Sequence, residues 1–265
     1  MNNIARKPLG YKIWFKVFLT ILVFIPPYTR LPYDPAKSTE VIAQSLANPL
    51  ITSIPWALPI AKVLLLAAVI LPLTRVRFSG RVLLGYYAAS LIVIGLLQNM
   101  AHTEDFGFTW LIGNTLVQLI VSGFCLADAV QNQTIISAGN LRKSRLWVIV
   151  LMLLAFLAPY AVSSDGHVYP SFSLTMLTNE SGVTYCMVTP VIIGILLLFS
   201  GGVHKPTLSI VSYVGLIFGM LNMITWFTLQ NKDWWMGVLH LPLFILSFYG
   251  LLISRKERYM ASDSR

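Results

Sequence analysis

Eight long apolar runs constrain this chain more than any other feature of its sequence. A helix that crosses a bilayer needs about 20 mostly apolar residues, with a range from about 17. The strands of a membrane β-barrel would alternate apolar and polar residues, which these runs do not. We therefore predict an all-α polytopic integral membrane protein with eight transmembrane helices. The runs lie at about 11–29, 51–74, 82–101, 106–128, 146–163, 183–201, 207–229 and 235–254.

The composition agrees with this class. The chain has 265 residues, of which 56% are hydrophobic and 11% are charged, whereas soluble domains carry about 25% charged residues. The net charge of +9 does not indicate nucleic acid, because the basic residues stand at the ends of apolar runs and form no basic stripe with aromatic residues. We expect the lipid bilayer as the main partner, leave protein partners in the membrane open, and expect no nucleic acid.

The basic residues also indicate the orientation of the helices. With both termini in the cytoplasm, Arg30, Lys37 and Lys232 lie outside and Lys62 lies within the membrane. The remaining basic residues then all lie inside, which is the asymmetry of the positive-inside rule. We predict cytoplasmic tails at 1–10 and 255–265, in the plasma or inner membrane if the source is prokaryotic. The inner set is Arg6, Lys7, Lys12, Lys16, Arg75, Arg77, Arg81, Arg142, Lys143, Arg145, Lys205, Arg255, Lys256, Arg258 and Arg265.

Residues 1–265 read as a single membrane domain that contains a possible tandem repeat. Its halves would be 11–130 and 145–254. Pro-Tyr at 27–28 recurs at 159–160, and Leu-Gln-Asn at 97–99 recurs at 229–231, both at an offset of 132 residues. Four helices per half would insert each half the same way up, so the predicted symmetry is a pseudo-two-fold axis along the membrane normal.

Polar side chains inside two of the runs suggest a site in the outer half of the membrane. Asn114, Gln118, Ser122 and Cys125 follow one face of the fourth run, and such a face avoids lipid. His240 lies at a similar depth in the eighth run, and histidine suits proton exchange or metal binding. Hydrogen bonding between helices is the simpler interpretation of both features.

Lys62 is the charged residue deepest in an apolar run, eleven residues into the second one. An ammonium at this depth costs at least about 2.5–3.5 kcal/mol on insertion scales, so a partner is expected. The simplest partner is Glu104 or Asp105 at the outer face. The functional alternative makes Lys62 a contact for an anionic group on a substrate.

His102, Glu104 and Asp105 stand together at the predicted outer mouth. A histidine with two carboxylates can bind a divalent cation or perform acid–base chemistry. The alternative is helix capping, because acidic residues at a helix N-terminus accept hydrogen bonds from free amides. Metal and cofactor therefore remain unknown, and Asp128 is interpreted as an interfacial carboxylate rather than as a catalytic one.

These features lead to three hypotheses of function. The first is a small-molecule or ion permease, or a component of one, with Lys62, Asn114, Gln118 and His240 along its site or pathway. The second is a membrane-embedded binding or scaffold subunit of a larger complex. The third is an enzyme that uses His102, Glu104 and His240 at the outer face. We lean against the enzyme, because the sequence holds no nucleotide-binding loop, no HExxH and no GxSxG motif.

Overall fold

The computed structural model describes residues 8–74, 76, 78–162 and 168–263, without the side chains of Leu73, Val162 and 257–263. Within these residues the protein is mostly helical, at 74%. The helices are α1 Ile13–Val23, α2 Ser38–Ala47, α3 Ala57–Ile70, α4 Ser79–Leu97, α5 Ile112–Gln131, α6 Val148–Leu157, α7 Tyr185–Leu198, α8 Lys205–Ile224 and α9 Trp234–Asp263. The predicted inner residues Arg6, Lys7, Arg75, Arg77 and Arg265 lie outside the described part.

Four helical segments of the described chain are long and apolar enough to cross a membrane. They are α4, α5, α8 with its π-helical end, and the segment Asn231–Lys256, which joins a short 3-10 turn to the first part of α9. A fifth is added if Leu174–Gly182 and α7, which meet at an angle of 93°, form one broken span. The shorter apolar helices α1, α3 and α6 reach 10 to 14 residues. The chain is thus a membrane-embedded helical protein with four to five candidate spans, and each predicted run contains one helix.

One boundary error concerns the start of the fourth run, where we expected a helix from 106. Residues Gly107–Trp110 instead form strand β3, and α5 begins only at Ile112. β3 pairs antiparallel with β2, Met100–Thr103, and with β1, Tyr28–Thr29. Threonine and aromatic residues in this segment suit a pleated, half-buried strand as well as they suit an apolar helix. Their hydrophobicity was therefore no guide to the element type.

This small sheet covers one end of the bundle. Helix α2 packs on it, and the buried Ser45 hydroxyl donates to the hydroxyl of Thr109 at 2.8 Å. A separate hairpin follows α6, where β4, Tyr160–Val162, pairs with β5, Val168–Pro170. Both β1 and β4 begin at the tyrosine of a Pro-Tyr pair.

Helix α7 is at the centre of the fold, because every one of its residues except Cys186 is buried. Helices α8 and α9 pack closely beside it. A Cβ atom on Gly219 would lie 2.8 Å from the Phe244 Cα, and one on Gly215 would lie 2.3 Å from the Ser247 Oγ. The small residues thus let the two backbones approach each other, as their GxxxG spacing predicts.

Basic segments meet at the end of the bundle opposite the three-stranded sheet. Lys205 and Arg145 both donate hydrogen bonds to Ser200, which follows α7. Further hydrogen bonds at this end join Tyr11, just before α1, to Ser254 of α9 at 3.3 Å. The Arg142 amide, before α6, donates to the last residue of α7, Leu198, at 2.7 Å. Ser79, the first residue of α4, donates to Ile136, in the segment after α5, at 3.4 Å.

Candidate functional site

The polar stripe of the fourth run packs α5 against α4. The Gln118 Oε1 atom accepts a hydrogen bond from the Asn99 amide at 2.9 Å, and the Ser122 hydroxyl donates to the Ala88 carbonyl at 2.8 Å. Thr115, which lies beside this stripe, donates to the Gly95 carbonyl at 2.7 Å. These groups are all buried. Their hydrogen-bonding capacity is thus used inside the protein, as the simpler interpretation of the stripe expected.

Asn114 points away from this network. It lines a small cavity of about 20 Å³ with residues that include Val23, Ile42 and Leu111. A cavity of this size holds about one water molecule. Asn114 and Gln118 therefore stand in different surroundings, although they lie one helical turn apart.

His240 lies on α9 and is 7% exposed. Its Nδ1 donates to the Met236 carbonyl of the same helix at 2.7 Å. The imidazole stacks on Trp226, with ring centroids 6.0 Å apart. No described residue other than Met236 forms a hydrogen bond with this histidine. Its surroundings are those of an aromatic, mostly apolar packing position.

The predicted outer mouth is the turn of the β2–β3 hairpin. Glu104 and Asp105 are exposed there, and Asp105 accepts a hydrogen bond from Gln44 of α2 at 2.7 Å. The imidazole of His102 is in contact with the Phe108 ring across the hairpin. The expectation that Asp105 caps α5 is wrong, because a strand separates this residue from the helix. Within the described ranges, no three His, Cys, Asp or Glu side chains group closely enough to hold a metal ion.

Lys62 is buried at 2% exposure, and its partners differ from those expected. The ammonium donates to the main-chain carbonyl of Met176 at 2.7 Å and to that of Phe156. It also lies 4.7 Å from the centroid of the Phe156 ring, a cation–π distance. The described chain shows no ion pair between Lys62 and a carboxylate, so the expected pairing with Glu104 or Asp105 is wrong.

The Lys62 contact follows from the shortness of α6. This helix has 10 residues, so it is only about 15 Å long, and its last carbonyls have no partners within the helix. Lys62 and Ser181 both donate to Phe156, the latter at 2.9 Å. The Asn179 amide donates to the carbonyl of Leu157 at 3.2 Å and to that of Ala158 at 2.9 Å. A positive charge is favourable at this end of the helix dipole.

Asn179 and Ser181, which cap α6 together with Lys62, belong to Leu174–Gly182, which we call the cover segment. Its backbone lies directly on α3, since a Cβ atom on Gly182 would be 2.8 Å from the Lys62 amide nitrogen. The Tyr160 hydroxyl donates to the Glu180 carboxylate at 2.8 Å. Burial, with the Glu180 charge beside it, raises the pKa of Tyr160 well above 10. The hydroxyl therefore keeps its proton, and the cover segment is held at several points.

Lys62, Asn114, Gln118 and His240 do not form one cluster in the described structure. No hydrogen bond or ion pair joins any two of them, and each has partners of its own. Of these four residues, only Lys62 has a described hydrogen bond to the other predicted half, because it lies on α3 while Phe156 and Met176 belong to the second half. The role of these four residues along a pathway stays a prediction.

A second polar site lies at the basic end of the bundle. The Asp128 carboxylate accepts hydrogen bonds from the amide and hydroxyl of Thr134, both at 2.8 Å, and lies 3.6 Å from the Nδ1 of His204. Asp128 and His204 border a cavity of about 340 Å³, which Gln131 also lines. Asp128 is 2% exposed, so the interpretation as a simple interfacial carboxylate understated its burial.

Sequence reasoning missed the groups that hold Lys62. Two of them are main-chain carbonyls. Every residue has a main-chain carbonyl, so the residue type does not show which carbonyl is free to accept. Asn179 and Ser181, which cap the end of α6, are visible in the sequence only as part of a glycosylation sequence, and their capping role was not predicted. His204 could have been noticed as a histidine just before the seventh apolar run.

Comparisons with protein-family models, with curated proteins and with solved structures gave no match for this chain.

Proposed function

We propose that this protein is a small-molecule or ion permease, or a component of one, with its site at Lys62 in the outer half of the bundle. The observation that carries the proposal is the buried ammonium at the carbonyl end of the short helix α6. Broken helices with their ends inside the membrane are a recurrent way to build transport sites, because their free carbonyls and amides can hold charged groups. Irregular backbone at membrane depth is tolerated where protein or a cavity surrounds it.

The proposed architecture has eight membrane-crossing segments with both termini in the cytoplasm, and the short helices α1, α3 and α6 are counted among them. The clustering of Arg145, Lys205 and their neighbours at one end supports this orientation. The tandem repeat is supported by the two strands that begin at Pro-Tyr pairs. It is also supported by the ends of the third and seventh helical segments, at Leu97 and Leu229 of the two Leu-Gln-Asn sequences.

The orientation can be tested with single cysteines. Cys125 is buried and Cys186 is half-buried, so a variant with both replaced by alanine is a suitable background. Glu104→Cys is expected to react with a membrane-impermeant maleimide in intact cells, and Lys143→Cys only after the membrane is opened. Labelling of both positions in intact cells would contradict the orientation.

Transport can be tested in proteoliposomes without knowledge of the substrate. Concentration steps of methylammonium chloride, sodium chloride, sodium acetate and sodium phosphate are applied on a solid-supported membrane, while trapped pyranine reports internal pH. We expect a response above protein-free liposomes for at least one probe. Lys62→Met should abolish this response, and Lys232→Met, at an exposed outer lysine, should retain it. No response to any probe, or an unchanged response in Lys62→Met, would count against a permease.

A scaffold role is the second candidate, and a specific observation favours it. The polar stripe of α5 is used for packing against α4, while α3 exposes Ile60, Val63 and Leu64 at 50–65%. Such a face contacts either lipid or a neighbouring membrane helix. Membrane proteins that co-purify in mild detergent, and that Val63→Ser releases without loss of folded protein, would favour this candidate. A monodisperse monomer would count against it.

A further inference from the structure

The surroundings of the Lys62 ammonium have the chemistry of a cation site. Two main-chain carbonyl oxygens, from Phe156 and Met176, accept its hydrogen bonds, and the face of the Phe156 ring lies 4.7 Å away. Carbonyl oxygens replace the hydration shell of monovalent cations in channels. Aromatic faces add attraction for ammonium groups. We call these two carbonyls and this ring the carbonyl cage.

The cage is selective for charge by its construction. Phe156 lies in the last turn of α6, where the helix dipole places partial negative charge. An anion in the same place would face carbonyl oxygens and the negative face of a π system. The described residues place no carboxylate within ion-pair distance of Lys62, so the positive charge is held by dipoles. A single positive charge with N–H donors is therefore what fits.

We propose that the carbonyl cage is a binding site for a primary ammonium compound, and that Lys62 is its tethered occupant. An incoming R–NH₃⁺ group takes the two carbonyls and the ring face when the lysine side chain swings out. This inference names the ligand class of the proposed permease and rests on that function only for the claim that the ligand is transported. The binding itself requires no transport.

Exchange of the occupant would also change how the cover segment is held. Met176 belongs to Leu174–Leu177 of that segment, and its carbonyl is bound to a lysine of α3. When a free ammonium replaces Lys62, this link between α3 and the cover segment is broken. The bonds from Asn179 and Ser181 to the end of α6 remain.

The test uses n-butylammonium chloride as the probe and the melting temperature of the full-length protein in mild detergent as the readout. Lys62→Ala empties the cage and is expected to show a saturable rise in melting temperature. If Lys62 occupies the cage nine-tenths of the time, the wild type needs about tenfold more probe for half its shift. Lys62→Met refills the space with an uncharged chain and should not respond. Lys232→Ala should behave as the wild type.

A further control probe, tetramethylammonium, separates the remaining outcomes. Tetramethylammonium has no N–H donor, so an equal response to it would contradict the carbonyl cage, as would a response of Lys62→Met. If Lys62→Ala folds only when butylammonium is present, the proposal is supported by rescue. Lys62→Ala that shows no probe-dependent stabilisation, folded or not, overturns it. If the probe binds but the proteoliposomes give no transport response, the binding site is supported and only the permease function is rejected.

Discussion

Lys62 and Asp128 are two charged side chains with the same exposure of 2%, toward opposite ends of the bundle, and they are satisfied in different ways. Asp128 accepts from the amide and hydroxyl of Thr134, six residues along the chain, and has His204 nearby as a possible countercharge. Lys62 donates to carbonyls 94 and 114 residues away and forms no ion pair in the described structure.

The difference is one of energetic role. A buried carboxylate with several donors stabilises the groups around it, and its removal leaves those donors without acceptors. A buried ammonium loses its hydration free energy, and hydrogen bonds to neutral dipoles compensate only part of that loss. Asp128 therefore resembles a structural anchor, whereas Lys62 carries a desolvation cost that a purely structural role would not require.

The largest expected effect comes from Asp128→Ala. It leaves the Thr134 amide and the Thr134 hydroxyl proton without an acceptor in a buried place, so we expect a loss of about 3 kcal/mol in the free energy of unfolding. Unfolding by SDS in mixed micelles measures it. Asp128→Asn keeps an acceptor oxygen and should lose clearly less. A loss no greater than that of Lys62→Met would remove the contrast between the two sites.

Asn179→Ala should rank second, at about 2 kcal/mol, because it leaves the Leu157 and Ala158 carbonyls without their side-chain donor. The same SDS titration applies. Asn231→Ala, at an exposed asparagine, serves as the matched control and should change the free energy of unfolding by less than about 0.5 kcal/mol. Equal effects of the two substitutions would show that the end of α6 needs no cap from the cover segment.

Lys62→Met should change the free energy of unfolding by no more than about 1 kcal/mol. The Met176 carbonyl loses its donor, but the desolvation cost of the ammonium disappears as well, and the two effects oppose each other. A loss of 3 kcal/mol or more in the same titration would instead make Lys62 a structural anchor of the same kind as Asp128.

Tyr160→Phe should also give a small effect, a loss of about 1 kcal/mol or less in the free energy of unfolding for the hydrogen bond to Glu180. The folded-state pKa of Tyr160 is raised above the unfolded value near 10. Its contribution is therefore fully present below pH 10 and is lost as pH rises through the folded-state pKa. Melting temperatures of the wild type and the variant should differ at pH 8 and converge in strong alkali. A constant difference at every pH would contradict this assignment.

The sequence predicted the helical membrane class, because several apolar runs are as long as a helix that crosses a bilayer. Each run does contain one α-helix, but only four to five helical segments of the described chain are candidate spans, whereas the sequence predicted eight. It did not predict that the residues 107–110 form a strand, since an apolar segment with threonine and aromatic residues fits either element. Nor did it show that α6 stops after Leu157, because the left-handed backbone of Ala158, at φ 42°, is imposed by tertiary contacts and has no glycine to mark it.

For the site, the sequence identified Lys62 as a charge that needs a partner but chose the wrong partner. Its reasoning compared side chains, and the nearest acidic side chains were Glu104 and Asp105. The actual acceptors are backbone carbonyls freed by a helix end. Such acceptors become visible only when the place where a helix stops is known, and helix ends are the least certain part of any sequence-based prediction.

The double hydrogen bond of Asn179 has a consequence for the choice of expression host. Asn179, Glu180 and Ser181 spell an acceptor sequence for N-linked glycosylation. A glycan on Nδ2 leaves that nitrogen a single N–H, so it could no longer serve both Leu157 and Ala158. In a host that glycosylates exported chains, the transferase and the folding of the cover segment would compete for the same nitrogen atom. The glycosylated fraction would then measure how often the transferase modifies Asn179 before this side chain forms its hydrogen bonds to the end of α6.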